Sequence, residues 1–268
     1  MKSNISQERK QYLKRTKGRK IATVVTQVGI LAVVIFLWEV LARVGIIDSF
    51  VMSMPSRILK TITGFSSNDL LKHIGVTLSE TVIGFTLGAT IGALIAAALW
   101  WSEFLSKTLE PYLVALNSLP KIALGPVIII WVGAGSQAII VMALAISMIV
   151  TTLEMLNGFN NTDSEKIKMV KTFGASKAKI FLKVVLPYNV STLFNSLKVN
   201  IGLSLVGVIA GEFLVSKAGL GYLIVYGGQV FKMDLVMASV IILAVMAAIM
   251  YKTVAFFEKL AIRNMGKE

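Results

Sequence analysis

Six stretches of about twenty residues run along the chain with almost no charge, and the polar residues gather between them rather than alternating within them. A helix needs about 20 apolar residues to cross the hydrocarbon core of a bilayer. The pattern therefore predicts spans over residues 21–44, 78–100, 112–132, 137–156, 192–214 and 235–257. The first run is too long and too far from the start for a signal peptide and lacks a small-residue cleavage pattern, so it is expected to be retained. The expected fold is an all-α integral membrane protein, with a basic tail over 1–20 and one transmembrane domain over 21–268.

Composition agrees. Of 268 residues, 56% are apolar and 15% charged, and the mean hydropathy is +0.77. A soluble domain is about one quarter charged, so an ordinary soluble enzyme is excluded. High apolar content excludes a disordered chain, and the absence of cysteine excludes a disulfide framework. The net charge of +13 raises the question of nucleic acid, but placement answers it. With both termini inside, nineteen Lys and Arg fall in the inner segments, counting Lys2 and Lys267, against five in the outer ones. Basic residues beside spans on the cytoplasmic side set topology and meet anionic lipid. The expectation is both termini cytoplasmic, in a multi-pass protein of a prokaryotic cell membrane, with no nucleic-acid partner.

Within the spans, Gly84, Gly88 and Gly92 form a tandem G-x-x-x-G with Ala89, Ala93, Ala96 and Ala97 beside it. Small residues four apart let another helix approach closely, either statically or as a sliding surface. In the fifth span Ser196, Asn200, Ser204, Gly207 and Gly211 share one face, with Lys198 near its start and Glu212 near its end. Polar groups in a bilayer need partners or water, so this stripe faces another helix or a wet pathway. Glu80 and Lys121 are ionisable and deep, which makes each a functional candidate unless it snorkels to an interface. Residues Asn117 to Pro126 place two prolines and a glycine inside the third span. Proline removes a backbone donor, and broken helix at membrane depth is tolerated only when buried or lining a cavity. The pathway-lining candidates are thus Glu80, Asn117, Lys121, Ser196, Asn200, Ser204 and Glu212.

The inner segment 157–188 has helical grammar of its own. Thr162-Asp-Ser-Glu165 fits a capping box, and Met169, Val170 and Phe173 form an apolar ridge. Gly174 stops the first helix at a left-handed position. Ser176 caps a second helix, whose Phe181, Leu182, Val184 and Val185 face one way until Pro187 ends it. Such a basic, amphipathic element rests on lipid headgroups or plugs into a cytoplasmic partner. No G-x-x-x-x-G-K-[ST] phosphate cradle occurs, since Gly266-Lys267 is followed by the final Glu268. No His/Cys/Asp cluster has metal spacing, and the single histidine, His73, is expected to be solvated or interfacial.

Lys168-Met-Val-Lys-Thr-Phe-Gly174, followed at the right spacing by Val184 and Leu186-Pro187, resembles the "EAA" loop of permeases from ATP-binding-cassette importers. Further stretches resemble the nitrate/sulfonate/taurine branch: Met54-Pro-Ser56, Ser118 to Pro126, Ile128 to Gly133, Gly207 to Glu212, and Gly219-Leu-Gly-Tyr222. The resemblance implies a permease domain whose coupling loop docks on cytoplasmic ABC ATPase subunits. Glu165, Lys168, Met169, Val170, Phe173, Gly174, Ala175, Ser176, Leu186 and Pro187 would form that loop. It also implies an extracytoplasmic solute-binding protein, a permease homodimer, and ATP-Mg bound on the partner ATPase, with no cofactor or metal on this chain and no catalysis by it. Two departures stand out. Lys168-Met169-Val170 replaces Glu-Ala-Ala, leaving Glu165 to supply an acidic contact, and Glu80 occupies a place where many relatives carry a basic residue. The implied cargo is a small solute: a sulfonate-, nitrate- or taurine-like anion, or a thiamine-precursor-like organic molecule. The competing classes are an ATP-independent carrier or channel, which has no need of the inner-loop grammar, an intramembrane enzyme, which lacks a converging catalytic set, and a membrane scaffold.

Overall fold

The computed structural model describes residues 7–64 and 69–265. Lys2, Lys267 and the Gly266-Lys267-Glu268 terminus lie outside the described residues, as do the side chains of Arg9, Lys10, Lys14 and Lys20. All described elements are helical. Among them, five helices are long and apolar enough to span a bilayer: Arg15–Arg43, Leu70–Trp101, Ser136–Asn160, Val190–Val215 and Met233–Arg263. A bent pair, Glu103–Ser118 with Lys121–Val132, makes a sixth if its two arms count as one span. This is the expected all-α membrane protein.

The chain divides into two compact units, at Thr63 and Gly64. The first holds α1 (Gln7–Arg43), α2 (Ser49–Met52) and α3 (Pro55–Thr63). The carboxylate of Glu39 joins two of these helices. One oxygen accepts from Arg43 Nε at 2.7 Å and the other from the backbone N–H of Ser56 at 3.0 Å. A carboxylate at the first turn of a helix satisfies a free N–H and meets the positive end of the dipole, which gives Met54-Pro-Ser56 a physical role.

The second unit holds α4 (Leu70–Trp101), α5 (Glu103–Ser118), a 3₁₀ turn (Lys121–Leu124), α6 (Gly125–Val132) and α7 (Ser136–Asn160). It continues through α8 (Ser164–Thr172), α9 (Lys177–Ile180), a π turn (Phe181–Val185) and α10 (Leu186–Tyr188) to α11 (Val190–Val215), α12 (Leu220–Gln229) and α13 (Met233–Met265). Its centre is α7, gripped between two small-residue stripes. On α4, a Cβ added to Gly84, Gly88 or Gly92 would lie 2.6–2.8 Å from Ala143, Ser147 or the Met148 carbonyl and Thr151. On α11, a Cβ on Gly207 or Gly211 would press within 2.9–3.2 Å of the α7 backbone at Ala143 and Ile139. Both glycine stripes thus exist to let backbones approach, which is how helices associate where lipid removes the hydrophobic drive.

The predicted break in the third span is sharp: its arms meet at 89° across Leu119-Pro120. Pro120 follows Leu119 in extended conformation, as a pre-proline residue prefers. Each arm alone is shorter than a span.

Candidate functional site

Residues 161–189 form a folded segment at one end of α7. The cap of α8 is Asp163, whose Oδ1 accepts from Glu165 N at 2.9 Å, one residue later than the expected Thr162. Thr162 is engaged elsewhere, its buried hydroxyl accepting from Asn189 Nδ2 at 2.8 Å. Gly174 turns the corner at φ +78°, and the Ser176 hydroxyl caps α9 by accepting from Lys179 N, both as expected.

Pro187 does not end the second helix. The backbone widens into a π turn over Phe181–Val185 and carries on through Leu186–Tyr188, breaking only at Asn189. A wider turn lets a helix absorb a proline's missing donor. The expected shared face also divides. Val185 is buried, Phe181 and Val184 are half-buried, and Leu182 is exposed.

Aromatic packing anchors the segment. The Phe181 ring lies 5.0 Å from Trp100 and 5.3 Å from Phe159, and Lys177 Nζ donates to Trp101 O at 2.7 Å. Ile167, Val170 and Ala175 pack against the cluster built on Met155, Leu156, Phe159 and Ile180. The predicted ridge therefore splits: Val170 turns inward, while Met169 is 57% and Phe173 81% exposed. Around these two apolar side chains, Glu165, Lys166, Lys168, Lys171, Gly174 and Ser176 are exposed, as are Leu186 and Pro187 further on.

At the opposite end of α7 lies a buried polar knot that closes the first turn of α12. Gly221 N donates to Glu212 Oε2, Leu220 N to Thr77 Oγ1 at 2.7 Å, and Gly219 N to His73 Nδ1 at 2.9 Å. Thr77 in turn donates to Glu212 Oε1 at 2.6 Å. Three of the free N–H groups at the helix start thus find partners on α4 and α11. A Cβ on Gly219 or Gly221 would strike the Glu212 side chain, and Gly219 has φ +114°, so the Gly-Leu-Gly motif is the negative of that carboxylate. His73, expected to be solvated or interfacial, is buried and stacks on Tyr222 at 5.8 Å.

Of the other candidates, Glu80 is buried beside the knot with both carboxyl oxygens lacking a hydrogen-bond partner. Asn200 and Ser204 are fully buried, Ser204 with its hydroxyl unpartnered, and Asn200 Nδ2 donates to Thr151 Oγ1 on α7 at 2.7 Å and to Ser196 Oγ at 3.2 Å. Lys198, at the edge of this face, pairs with Glu258 of α13 at 2.6 Å. Asn117 and Lys121 sit together at the break, where Lys121 Nζ donates to Asn117 O at 2.7 Å and Oδ1 at 3.0 Å. Sequence reasoning missed Thr77, the burial of His73, and Asn189. Glycines flanking a leucine shortly after a deep glutamate were the available signal for the knot. Among the described residues no group of three His, Cys, Asp or Glu side chains is placed to hold a metal.

The profile of the family described as binding-protein-dependent transport system inner membrane component matches residues 88–267. The chain belongs to that family. Among curated relatives of this transport component is a probable ABC transporter permease protein of Haemophilus influenzae, 29% identical over 83% of this chain and 90% of that one. Another is the formylaminopyrimidine transport permease protein ThiX of Halalkalibacterium halodurans, 26% identical over 69% of this chain and 74% of that one. Among solved structures, the inward-facing MetNI methionine ABC transporter superposes with a TM-score of 0.65 at 18% identity, covering 72% of this chain and 95% of that one. At that identity the likeness is one of fold, and the fold is that of an ABC permease. The chain is a multi-pass inner-membrane transport component.

Proposed function

We propose that this permease is the membrane-spanning subunit of an ATP-driven importer, and that residues 157–188 couple it to a separate cytoplasmic ABC ATPase. The observation that carries the reading is the solvent-facing pair Met169 and Phe173, ringed by lysines, on a segment whose other side is locked into the core. Large exposed apolar side chains are costly without a partner, and a rigidly anchored segment passes a push on its tip to α7 and α11 rather than absorbing it. Both termini lie on the cytoplasmic side in this reading. Two copies of the chain form the pathway, a solute-binding protein delivers cargo from outside, and ATP-Mg binds the partner ATPase.

The pathway runs along the face that carries Asn117, Lys121 and the break. Ser196, Asn200 and Glu212 hold α11 to its neighbours, with Glu80 and Ser204 buried beside them, as that face moves between inward- and outward-open states. The cargo is a small solute, either an anion of the sulfonate, taurine or nitrate kind or a thiamine-precursor-like organic molecule, as in the formylaminopyrimidine permease. The test is Phe173→Asp. An interface anchor contributes about 2 kcal/mol or more, so co-purification of the ATPase should weaken about thirtyfold while insertion and melting stay unchanged. Undiminished co-purification and uptake would refute the docking role.

A further inference from the structure

A cavity of about 440 Å³ opens between the end of α7 and the start of α11, beside the coupling segment. Four amides line it (Asn157, Asn161, Asn189 and Asn195), with Tyr188 and Glu154. The volume falls in the range of small-molecule sites, which hold about 300–1,000 Å³.

Glu154 Oε2 is buried without a hydrogen-bond partner. A buried acceptor left unpaired costs about 1–3 kcal/mol, more if charged, so the position is unfavourable unless something donates to it. No Lys or Arg is among the residues that line the cavity. Two lysines touch its walls rather than Glu154: Lys198 Nζ, paired with Glu258 at 2.6 Å, also donates to Asn195 Oδ1 at 3.4 Å, and Lys166 lies over the Tyr188 ring at 4.9 Å. Lys166 covers one face of that ring.

The cavity is also tied to the coupling segment. Asn189, one of its walls, donates to Thr162 at 2.8 Å and to Val185 O at 2.9 Å, bridging the two ends of residues 162–189. Gly158 permits this closeness, since a Cβ there would lie 2.7 Å from Asn189 Oδ1.

The geometry points to a binding site in this cavity for a small, flat solute that presents a cationic or amino edge. Its N–H groups would pair with Glu154, its remaining polar atoms with the asparagine amides, and its ring with Tyr188. This deepens the cargo reading and rests on the chain being an importer permease. It selects the organic, donor-bearing class over the anions, because Glu154 Oε2 needs a donor and an anion offers it none.

The experiment uses the full chain in lipid nanodiscs, titrated calorimetrically with benzamidine, benzamide and benzoate. These share a ring and differ in charge. Benzamidine should bind at least tenfold more tightly than benzoate, with benzamide between them. Glu154→Gln, which keeps the shape and removes the charge, should weaken benzamidine at least tenfold, the loss expected for charge-assisted hydrogen bonds, and leave melting unchanged. Equal or reversed preference in the wild type overturns the assignment, as does benzamidine binding that Glu154→Gln leaves within twofold. ATPase co-purification by the same preparations separates the two readings. Its retention alongside indifferent ligand binding faults the cavity alone, whereas its loss alongside selective benzamidine binding faults the docking role and leaves the cavity standing.

Discussion

Replacing Gly88 by Ala adds one methyl group, and the structure sets its cost. That carbon would lie 2.7 Å from Ser147 Cβ and 2.9 Å from Leu144 O, where ordinary carbon contacts need about 3.5–4.0 Å. The atoms it would strike are backbone and Cβ atoms, which no rotamer change removes. Relief requires α4 and α7 to part by roughly 0.5–1 Å, which forfeits a quarter to a half of each dispersion contact along the seam. It also stretches the buried bond from Thr152 Oγ1 to Gly92 O, already 3.2 Å. Overpacking of this kind costs about 1–3 kcal/mol, against a gain of about 1 kcal/mol from replacing glycine in a helix. Gly75 supplies a control in the same helix, since a Cβ there meets nothing within 4 Å. In detergent-solubilised fluorescent-protein fusions, the net cost of up to about 2 kcal/mol should make Gly88→Ala melt up to about 8 °C below wild type, at about 2–4 °C per kcal/mol for a chain of this size. Gly75→Ala should melt at or slightly above wild type. Equal melting of the two variants would refute the claim that the glycine stripe is a close backbone contact.

Other outcomes follow from the polar contacts. Thr77→Val keeps the shape but leaves Leu220 N–H and Glu212 Oε1 unpaired, a loss of about 2–6 kcal/mol at about 1–3 kcal/mol per orphaned group, visible as earlier melting with α12 losing hydrogen-exchange protection. Lys198→Met strands the Glu258 carboxylate and should cost about 3 kcal/mol, whereas Lys198→Met with Glu258→Leu should recover most of that, since removing a low-exposure ion pair altogether is milder than breaking it. Double-mutant melting curves decide the point. Gly174→Pro forces φ to about −65° where the corner needs +78°, so ATP-driven uptake should fall at least tenfold with insertion intact.

The spans, the broken third helix and the two-helix inner segment were legible because each is written in a contiguous pattern of apolar runs, prolines and caps. The tight face of Gly84, Gly88 and Gly92 was legible too, though its partner α7 was not. What escaped depends on residues far apart in the chain. His73 and Thr77 meet Gly219 and Leu220 across more than 140 positions, and no local pattern marks a lone histidine as a helix cap. The Pro187 helix end was misplaced for a different reason: a π turn can absorb a proline, and its signature is geometric. The polar stripe of α11 left two readings open. Asn200 resolves, in this conformation, into a contact with α7, while Ser204 is buried with its hydroxyl unpartnered.

The central claim, that the exposed tip of residues 162–188 engages an ATPase, has a direct test because the chain contains no cysteine. A single Ser176→Cys variant, exposed at the corner between α8 and α9, would be cross-linked in native membranes with a short thiol-reactive photoprobe and the adducts identified by mass spectrometry. Capture of a soluble P-loop ATPase is expected, reduced when Phe173→Asp is added. A folded, inserted protein that yields only lipid adducts at this position would contradict it.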